Sequence, residues 1–324
     1  MKHIAKKILA AISSAALLAG AVIAPSNGLT ASAANSVTIN GITYEYTQDY
    51  MGVAITKCTV PYNNTEVTIP NQIAGQDVIA VYDNAFTRST AGYMTKLKMD
   101  SNSKIYKVGK NFCANCDDLA EITLSPRLQI VGDYSFYDLD GLNQLTFPNS
   151  VIVIGSYVCN WTYNMTKVVL GSNVQYIGAE SFARMRDLTT FTSSSNSKLI
   201  SVGENVLKNS KWANNRANND GLYIGYNNRV LLRWQRRSTN PDVSLSNGVR
   251  VLADKAFSDP DWTHAYMVRN IYMPRVETFG SNVFDRVPQA IVHPSASLMY
   301  TTYGSNYDSY VRSVCAPASV QYMH

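Results

Sequence analysis

The amino-acid sequence predicts a repeat solenoid built mainly of short β-strands. A hydrophobic residue followed by Gly recurs at a nearly fixed interval along the 324 residues. An apolar or Cys position follows each pair, and an apolar triplet precedes it. These three features recur at the same interval and keep a constant spacing from one another, which favours stacked repeat units. One unit of this size cannot bury its apolar side alone.

The hydrophobic-Gly pairs define the repeat length. Successive intervals of 23, 23, 23 and 25 residues separate Val108-Gly109, Val131-Gly132, Ile154-Gly155, Ile177-Gly178 and Val202-Gly203. Apolar and polar residues alternate in the triplets, as in Leu145, Thr146 and Phe147, which is typical of a strand with one buried face. Gly permits a positive φ or tight packing where the chain enters the next unit.

The same phase extends beyond this region. Further units fit at Val81 with Phe86, at Leu252 with Phe257 and at Phe279 with Phe284. The regular copies are interrupted between Leu207 and Pro241, where a short helix containing Trp212 and a hairpin around "GYNNR" are predicted. This insertion is either part of the architecture or a ligand-binding island, and the sequence leaves both open.

Three segments carry a resemblance to a known family. "LSPRLQIVGDYSF", "FPNSVIVIGSYVC" and "LGSNVQYIGAESF" resemble the BspA-like leucine-rich repeat family of bacterial secreted and cell-surface proteins, over about Val37 to Tyr310. Cys116 stands at the family's final Cys position, whereas Cys113 and Cys159 occupy its Phe position. The resemblance implies a right-handed leucine-rich-repeat coil with repeats of about 23 residues and short strands.

The expected organisation follows from these patterns. It comprises a signal peptide (1–34), an N-terminal β-hairpin cap (35–66), leucine-rich repeats (67–207), the helix and hairpin insertion (208–241), further repeats (242–290) and a C-terminal cap (291–324). Caps are expected because the end units of a solenoid would otherwise expose apolar surface and strand edges.

The first residues predict the compartment. Lys2, Lys6 and Lys7 precede an apolar run, and Ala31 and Ala33 form an A-x-A site after it. This is the pattern of a secretory signal peptide. A membrane-spanning helix is disfavoured because serines interrupt the short run. We expect a secreted, extracellular protein, either free or associated with the cell surface, and no membrane span.

The charge argues against a nucleic-acid partner. The chain has 28 basic and 23 acidic residues, a net charge of +5. Removing the three lysines of the signal peptide gives 25 against 23, or +2. A nearly neutral surface lacks the basic footprint that nucleic-acid binding requires.

No catalytic or metal-binding constellation is evident in the sequence. Only His264 and His293 lie within the fold, and no nucleophile motif accompanies them. Zinc needs about four ligands, and Cys113-x-x-Cys116 has no second pair. We therefore expect no enzyme activity, no catalytic residues, no metal and no cofactor.

The five cysteines cannot all form disulfides. Cys113 and Cys159 share a column but lie two units apart, roughly 9 to 10 Å at strand spacing. A disulfide spans at most about 7 Å between Cα atoms. Cys113 and Cys116 could close a local disulfide or remain as two buried thiols.

Two surfaces are candidates for ligand binding. The first is the polar outward face of the strands, which includes Gln144, Lys167 and Tyr272. The second is aromatic and consists of Tyr134, Tyr137, Tyr157, Trp161 and Tyr163. Solvated strands and aromatic rings tucked between units are the structural alternatives.

Tyr134 and Tyr157 occupy one position in adjacent units, and the other three aromatics fall in the turns. Large, partly polar rings suit contact surfaces. The sequence and the resemblance predict protein–protein recognition or adhesion. The partner would be an extracellular protein of a host or neighbouring cell. The alternative is a carbohydrate-binding surface protein whose Tyr and Trp side chains stack on polysaccharide.

Overall fold

The computed structural model of the chain describes residues 35–217, 219–235, 240–258 and 265–323. The strands of the first part are β1 Asn35–Ile39, β2 Ile42–Asp49, β3 Gly52–Thr59, β4 Glu66–Ile69, β5 Gln72–Ile73, β6 Gln76–Val81, β7 Lys96–Met99, β8 Lys107–Val108, β9 Glu121–Thr123, β10 Ile130–Val131, β11 Gln144–Thr146, β12 Val153–Ile154, β13 Lys167–Leu170, β14 Tyr176–Ile177, β15 Thr190–Ser193 and β16 Ser201–Val202.

The strands of the second part are β17 Gly221–Ile224, β18 Val230–Trp234, β19 Asp242–Ser244, β20 Val251–Leu252, β21 Asn270–Met273, β22 Thr278–Phe279, β23 Ile291–Pro294 and β24 Ser319–Val320. The α-helices are α1 Arg88–Ala91, α2 Lys211–Asn214, α3 Ala296–Tyr303 and α4 Tyr307–Cys315. Short 3-10 turns cover Tyr226–Asn228, Ala265–Met267 and Gly304–Asn306.

Parallel pairing joins the hydrophobic-Gly pairs of successive repeats. In the strands β8, β10, β12, β14 and β16, each residue pairs with its counterpart in the next repeat. Val131, for example, pairs with Val108 on one side and Ile154 on the other. The spacing between equivalent residues is therefore that of neighbouring strands, about 4.8 Å.

The apolar triplets form further parallel ladders. These run in the orders β4-β7-β9, β11-β13-β15 and β19-β21-β23-β24. Leu145 pairs with Val168, which pairs with Phe191, so one buried column runs through three repeats. The residues between them point outward and are exposed or half-buried, as the period of two requires.

The core lies between the two ladders. Phe136 is fully buried, and its ring centroid lies 6.0 Å from that of Phe112 and 6.4 Å from that of Phe147. The Phe136 N–H donates to Val158 O, and the Cys159 N–H donates to Ser181 O. These matching bonds put Phe136 and Cys159 at one position of the repeat, so the thiol fills a Phe column.

Gly132 shows why Gly follows the hydrophobic residue. A Cβ at this position would lie 2.5 Å from the carbonyl carbon of Gly109 and 2.7 Å from its oxygen. Both atoms are backbone of the preceding repeat and cannot move aside. Gly is therefore required by close approach of successive repeats rather than by a positive φ.

Antiparallel strands precede the first repeat. Strands β1, β2 and β3 are antiparallel, and residues 50–51 join β2 to β3. Strand β3 then pairs in parallel with β6, which pairs with β8. The first parallel ladder thus continues directly into an antiparallel unit.

The segment that interrupts the repeats is built into the core. Ser210 begins α2, and its hydroxyl accepts from the Ala213 N–H at 3.1 Å. Trp212 is buried, with its ring 6.0 Å from that of Phe191. Strands β17 and β18 form an antiparallel hairpin, and β18 pairs in parallel with β20. The hairpin therefore begins a second ladder, β17-β18-β20-β22, in the later repeats.

Two helices lie after the later repeats. Ser295 begins α3, and its hydroxyl accepts from the Leu298 N–H. Met299 of α3 and Val311 and Cys315 of α4 are fully buried. Their side chains pack on the second part of the core.

We expect Phe136→Ala to lower the free energy of unfolding by about 3–5 kcal/mol, because it removes a ring from a fully buried column. Urea denaturation followed by circular dichroism measures the change. Phe136→Leu should cost less, since Leu207 occupies the equivalent position. Thr146→Ala, on an exposed position, should stay within about 0.5 kcal/mol of the native protein. A Phe136→Ala protein as stable as Thr146→Ala would contradict the shared core.

Candidate binding surface

The turns after the hydrophobic-Gly pairs place residues in the left-handed region of backbone conformation. In the first column φ lies between 53° and 59° at Asn84, Asn111, Tyr134, Tyr157, Glu180 and Asn205. In the second column φ lies between 55° and 69° at Asn115, Asp138, Trp161, Arg184 and Asn209. Asn is the ordinary non-Gly residue here, because its side chain can hydrogen-bond locally.

Three aromatic residues depart from this pattern. Tyr134, Tyr157 and Trp161 hold positive φ angles of 58°, 59° and 69°. A bulky L-residue in this region costs roughly 1–2 kcal/mol. Such strain persists only where the surrounding structure enforces it, and it is common at functional sites.

Backbone hydrogen bonds hold the second column in register. The N–H groups of Asn115, Asp138 and Arg184 donate to the next repeat at 2.9, 3.1 and 2.8 Å. Each acceptor carbonyl belongs to the residue one position earlier in the repeat. Side chains of neighbouring turns are therefore held one strand spacing apart.

The tyrosines of the first column stack on one another. The ring centroids of Tyr134 and Tyr157 are 4.8 Å apart and their planes differ by 8°. Tyr137 packs edge-on against Tyr134 at 5.6 Å. The Lys110 ammonium, from the preceding repeat, lies 5.6 Å from the Tyr134 centroid. The first three predicted aromatics thus form one continuous cluster.

The other two aromatics form a second group with arginines. The rings of Trp161 and Tyr163 are 5.7 Å apart. The Arg184 guanidinium lies 5.5 Å from the Trp161 ring, and the Arg186 guanidinium 4.1 Å from the Tyr163 ring. Trp161 is 39% exposed. We call these five aromatic residues, from Tyr134 to Tyr163, the turn-edge surface.

Two of the turn-edge phenols have raised pKa values. Burial raises the pKa of Tyr137, and the Asp138 carboxylate raises it further. Burial raises the pKa of Tyr157 as well, with Glu180 as the next cause. An ordinary phenol is already protonated at neutral pH, so each of these hydroxyls can donate a hydrogen bond.

Glu180 holds Arg184 in place. Its carboxylate lies 2.5 Å from Arg184 Nη1 and accepts from Asn160 Nδ2 at 3.3 Å. Asn160 is buried, so this network is fixed from beneath. The guanidinium over Trp161 is therefore pre-positioned.

The remaining predicted residues lie on the strand faces. Gln144 and Lys167 are direct neighbours on β11 and β13, and both are exposed. Tyr272 lies on β21 and stacks on His293 at 4.5 Å. His293 Nε2 lies 3.0 Å from Asn270 Oδ1, and Asn270 donates to Asp242 at 2.7 Å. These three residues are not brought into the turn-edge surface.

The arginines were not predicted from sequence, although a signal for them was present. Arg184 and Arg186 follow Trp161 and Tyr163 by one repeat length, 23 residues each. Equivalent positions of adjacent repeats are in contact, so a cation one repeat after an aromatic residue predicts a cation–π pair. Applied to the turns, this rule would have identified both pairs.

The five cysteines, which all lie in the described ranges, are free and buried. Burial raises the pKa of Cys116 and of Cys315 to about 12, and it raises that of Cys113 well above its ordinary value. Cys113 and Cys116 are two buried thiols, not the disulfide that the sequence also allowed.

Within residues 35–217, 219–235, 240–258 and 265–323, no group of three or more His, Cys, Asp or Glu side chains lies close enough together to hold a metal ion. In the same part of the chain, every helix is too short or too polar to cross a bilayer. The predicted signal peptide and His264 lie outside the described residues.

Residues 80–214 match the family described as BspA type Leucine rich repeat region, in six copies. The resemblance indicated by the sequence is therefore confirmed. Together with the strands that dominate the described part of the chain, the match fits a repeat fold of the leucine-rich type. Protein interaction is the general role that this family supports.

Solved structures of bacterial leucine-rich repeat proteins are also similar. A Treponema pallidum leucine rich repeat protein is 19% identical, with 85% of this chain and 96% of that one covered and a TM-score of 0.44. A leucine rich cell surface protein from Faecalibacterium prausnitzii A2-165 is 17% identical, with 90% and 96% covered and a TM-score of 0.38. The search of curated proteins gave no match.

We expect the native thiols to resist alkylation. With a pKa of about 12, Cys116 and Cys315 are thiolate in only roughly one molecule in ten thousand at pH 8. Iodoacetamide should modify the native protein at least about 100-fold more slowly than free cysteine, and all five thiols after unfolding in guanidinium. The raised pKa values stabilise the fold below pH ~8.5, and this contribution is lost as the pH rises toward 12. Rapid labelling of the native chain would contradict burial.

The strain at Trp161 can be measured with two substitutions. Trp161→Asn and Trp161→Ala both remove the ring, but only Asn is suited to a φ of 69°. We expect the Asn protein to be more stable than the Ala protein by about 1 kcal/mol in urea denaturation. The same pair at Thr146, on a strand, provides the control and should show no preference for Asn. Equal stability of the two Trp161 variants would show that the backbone is not strained.

Proposed function

We propose that this chain is a secreted leucine-rich-repeat solenoid that recognises or adheres to an extracellular protein through its turn-edge surface, without catalysis. The repeats would form a right-handed coil with caps at 35–66 and 291–324. The partner would belong to a host or a neighbouring cell. Secretion is supported by the signal-peptide pattern of residues 1–34.

The observation that carries the proposal is that all five aromatics lie in the turns of two adjacent repeats. Tyr134 and Tyr157 of adjacent repeats lie 4.8 Å apart, and pairs within one repeat lie 5.6 and 5.7 Å apart, the latter beside arginines. Tyr, Trp and Arg are the residues most enriched at the energetic centres of protein interfaces. Rigid rings lose little conformational entropy on binding, which suits them to recognition.

Ring contacts favour a protein over a polysaccharide. Sugar stacking needs a free aromatic face, whereas Tyr134 and Tyr157 cover one another. Lys110 lies on the other side of Tyr134 along the repeat axis, and Arg186 covers a face of Tyr163. The groups available to a partner are ring edges, hydroxyl groups and the guanidinium donors of the flanking arginines. This mixture of polar and apolar groups matches that of a protein surface.

The surface continues into an open groove beside the tyrosines. Tyr134 and Tyr137 form one wall, and Asn84, Asn111 and Arg88 line the rest. A partner that covered the rings could extend into this groove. The Asn side chains there would donate hydrogen bonds to an extended segment of its chain or accept them from it, and the Arg88 guanidinium would donate them.

We test the function with the secreted chain on parallel arrays of extracellular proteins and of glycans. Binding to a protein that weakens more than about tenfold in Trp161→Ala/Tyr163→Ala is expected, since loss of interface aromatics costs more than about 1.4 kcal/mol. Lys167→Ala, on the strand face of the same repeat, is the matched control and should bind normally.

Two other results would redirect the proposal. Glycan binding that disappears in the same double variant would replace protein recognition with the carbohydrate alternative. Protein binding that survives the double variant but is lost in Tyr272→Ala would move the site to the strand face of β21.

A further inference from the structure

The turns flanking the turn-edge surface carry an ordered pattern of charge. The pattern lies in two columns of turn residues. Each column has one residue per repeat, at sequence intervals of 23, 23, 23 and 25 residues. The outer column is Asp117, Asp140, Tyr163, Arg186 and Lys211. The inner column is Asn115, Asp138, Trp161, Arg184 and Asn209.

Both columns are antisymmetric about the repeat that contains Trp161. The outer column reads acidic, acidic, aromatic, basic, basic. The inner column reads amide, acidic, aromatic, basic, amide. Each residue is exposed or half-buried, so the pattern belongs to the surface.

Contacts show that the charges act together at each end. Burial raises the pKa of Asp138, and the carboxylates of Asp140 and Asp117 raise it further, so the acidic residues are close to one another. At the other end Arg186 lies over Tyr163. One end of the surface is thus acidic and the other basic, with the rings between them.

Some neighbouring charges oppose the pattern. Arg88 pairs with Asp117 at 2.9 Å, and Glu180 pairs with Arg184 at 2.5 Å. Asp187 is exposed beside Arg186. The acidic-to-basic order of the two columns is therefore kept by their exposed charged residues, which are Asp140, Arg186 and Lys211.

We propose that the turn-edge surface binds a second copy of this chain in an antiparallel, two-fold symmetric arrangement. The inference goes beyond the proposed function, because it names a second copy of the chain, and not a foreign protein, as the partner of the same surface. In this arrangement the acidic end of each copy meets the basic end of the other. Trp161 and Tyr163 of both copies lie at the two-fold axis.

The symmetry of the pattern favours this partner. A two-fold interface uses one patch on both subunits, so the patch must complement itself. A charge order that reverses sign about its centre does so only when the copies are antiparallel. The parallel arrangement puts acid against acid and base against base, which costs several kcal/mol. Aromatic residues at the centre and charges at the rim also match ordinary interface anatomy.

The dimensions are adequate for such an interface. Five repeats at about 4.8 Å give roughly 20 Å between the first and last charged turns. A standard interface covers about 800 Å² on each partner, a patch of similar width. The two rows of opposite charge would therefore reach one another without bending either chain.

Sedimentation equilibrium of the secreted chain and of two charge-reversed chains tests the proposal. The acid-reversed chain carries Asp117→Lys and Asp140→Lys, and the base-reversed chain carries Arg186→Asp and Lys211→Asp. We expect the native chain to dimerise, and more weakly in high salt because the charges are screened. Each reversed chain should dimerise at least about 100-fold more weakly, because like charges then face one another.

The equimolar mixture of the two reversed chains is the decisive sample. Its dissociation constant should lie within about threefold of that of the native chain, because each acidic end again faces a basic end. Lys167→Asp, a charge reversal on the strand face, is the control and should leave the dimer unchanged. Thermal unfolding of each chain checks that it is folded.

Three results would overturn the inference: a native chain that stays monomeric, reversed chains that dimerise like the native one, or a mixture that stays monomeric. A monomeric chain that still captures another extracellular protein through Trp161 overturns the dimer and leaves the proposed function standing. A dimer that captures nothing else supports the second copy as the partner and overturns recognition of a foreign protein.

Discussion

The parallel backbone ladder between successive repeats is the interaction on which the rest of the structure depends. The N–H groups of Gly132, Gly155 and Gly178 each donate to the hydrophobic residue of the preceding repeat, always at 2.9 Å. This ladder sets one spacing for every equivalent position. It forces Gly where backbones meet, and it aligns the buried columns on which the core is built.

The same spacing turns one residue per repeat into a surface. Because the turn backbones are tied to the next repeat, side chains at equivalent positions must lie within contact distance. The framework also supports unfavourable backbone conformations, since many buried contacts and ladder bonds oppose their relaxation. Turn positions can therefore vary widely in sequence without disturbing the core, whereas the buried positions of Val131 and Phe136 hold only apolar residues or Cys in the equivalent repeats.

Periodicity explains which features could be predicted from sequence. The phase of the apolar residues identified the columns of Leu145 and Phe136, and it aligned Tyr134 with Tyr157, which do stack. Periodicity does not report backbone conformation, so the left-handed turns were not foreseen at Trp161. Nor does an apolar pattern identify cations, which is why Arg184 and Arg186 were missed. The strand face and the turn edge were both candidates because the pattern alone does not rank surfaces.

Residues that replace Asn in the left-handed columns fall into two groups. Glu180 is engaged with Arg184, and Lys255, with a φ of 58°, pairs with Glu204 at 2.6 Å. These ion pairs give both residues a role inside the chain. Trp161 is different, because its strained backbone presents a ring that is 39% exposed and lies under a positioned guanidinium. Internal stability does not require an exposed ring at this conformation, which supports the proposal that the turn edge is a contact surface.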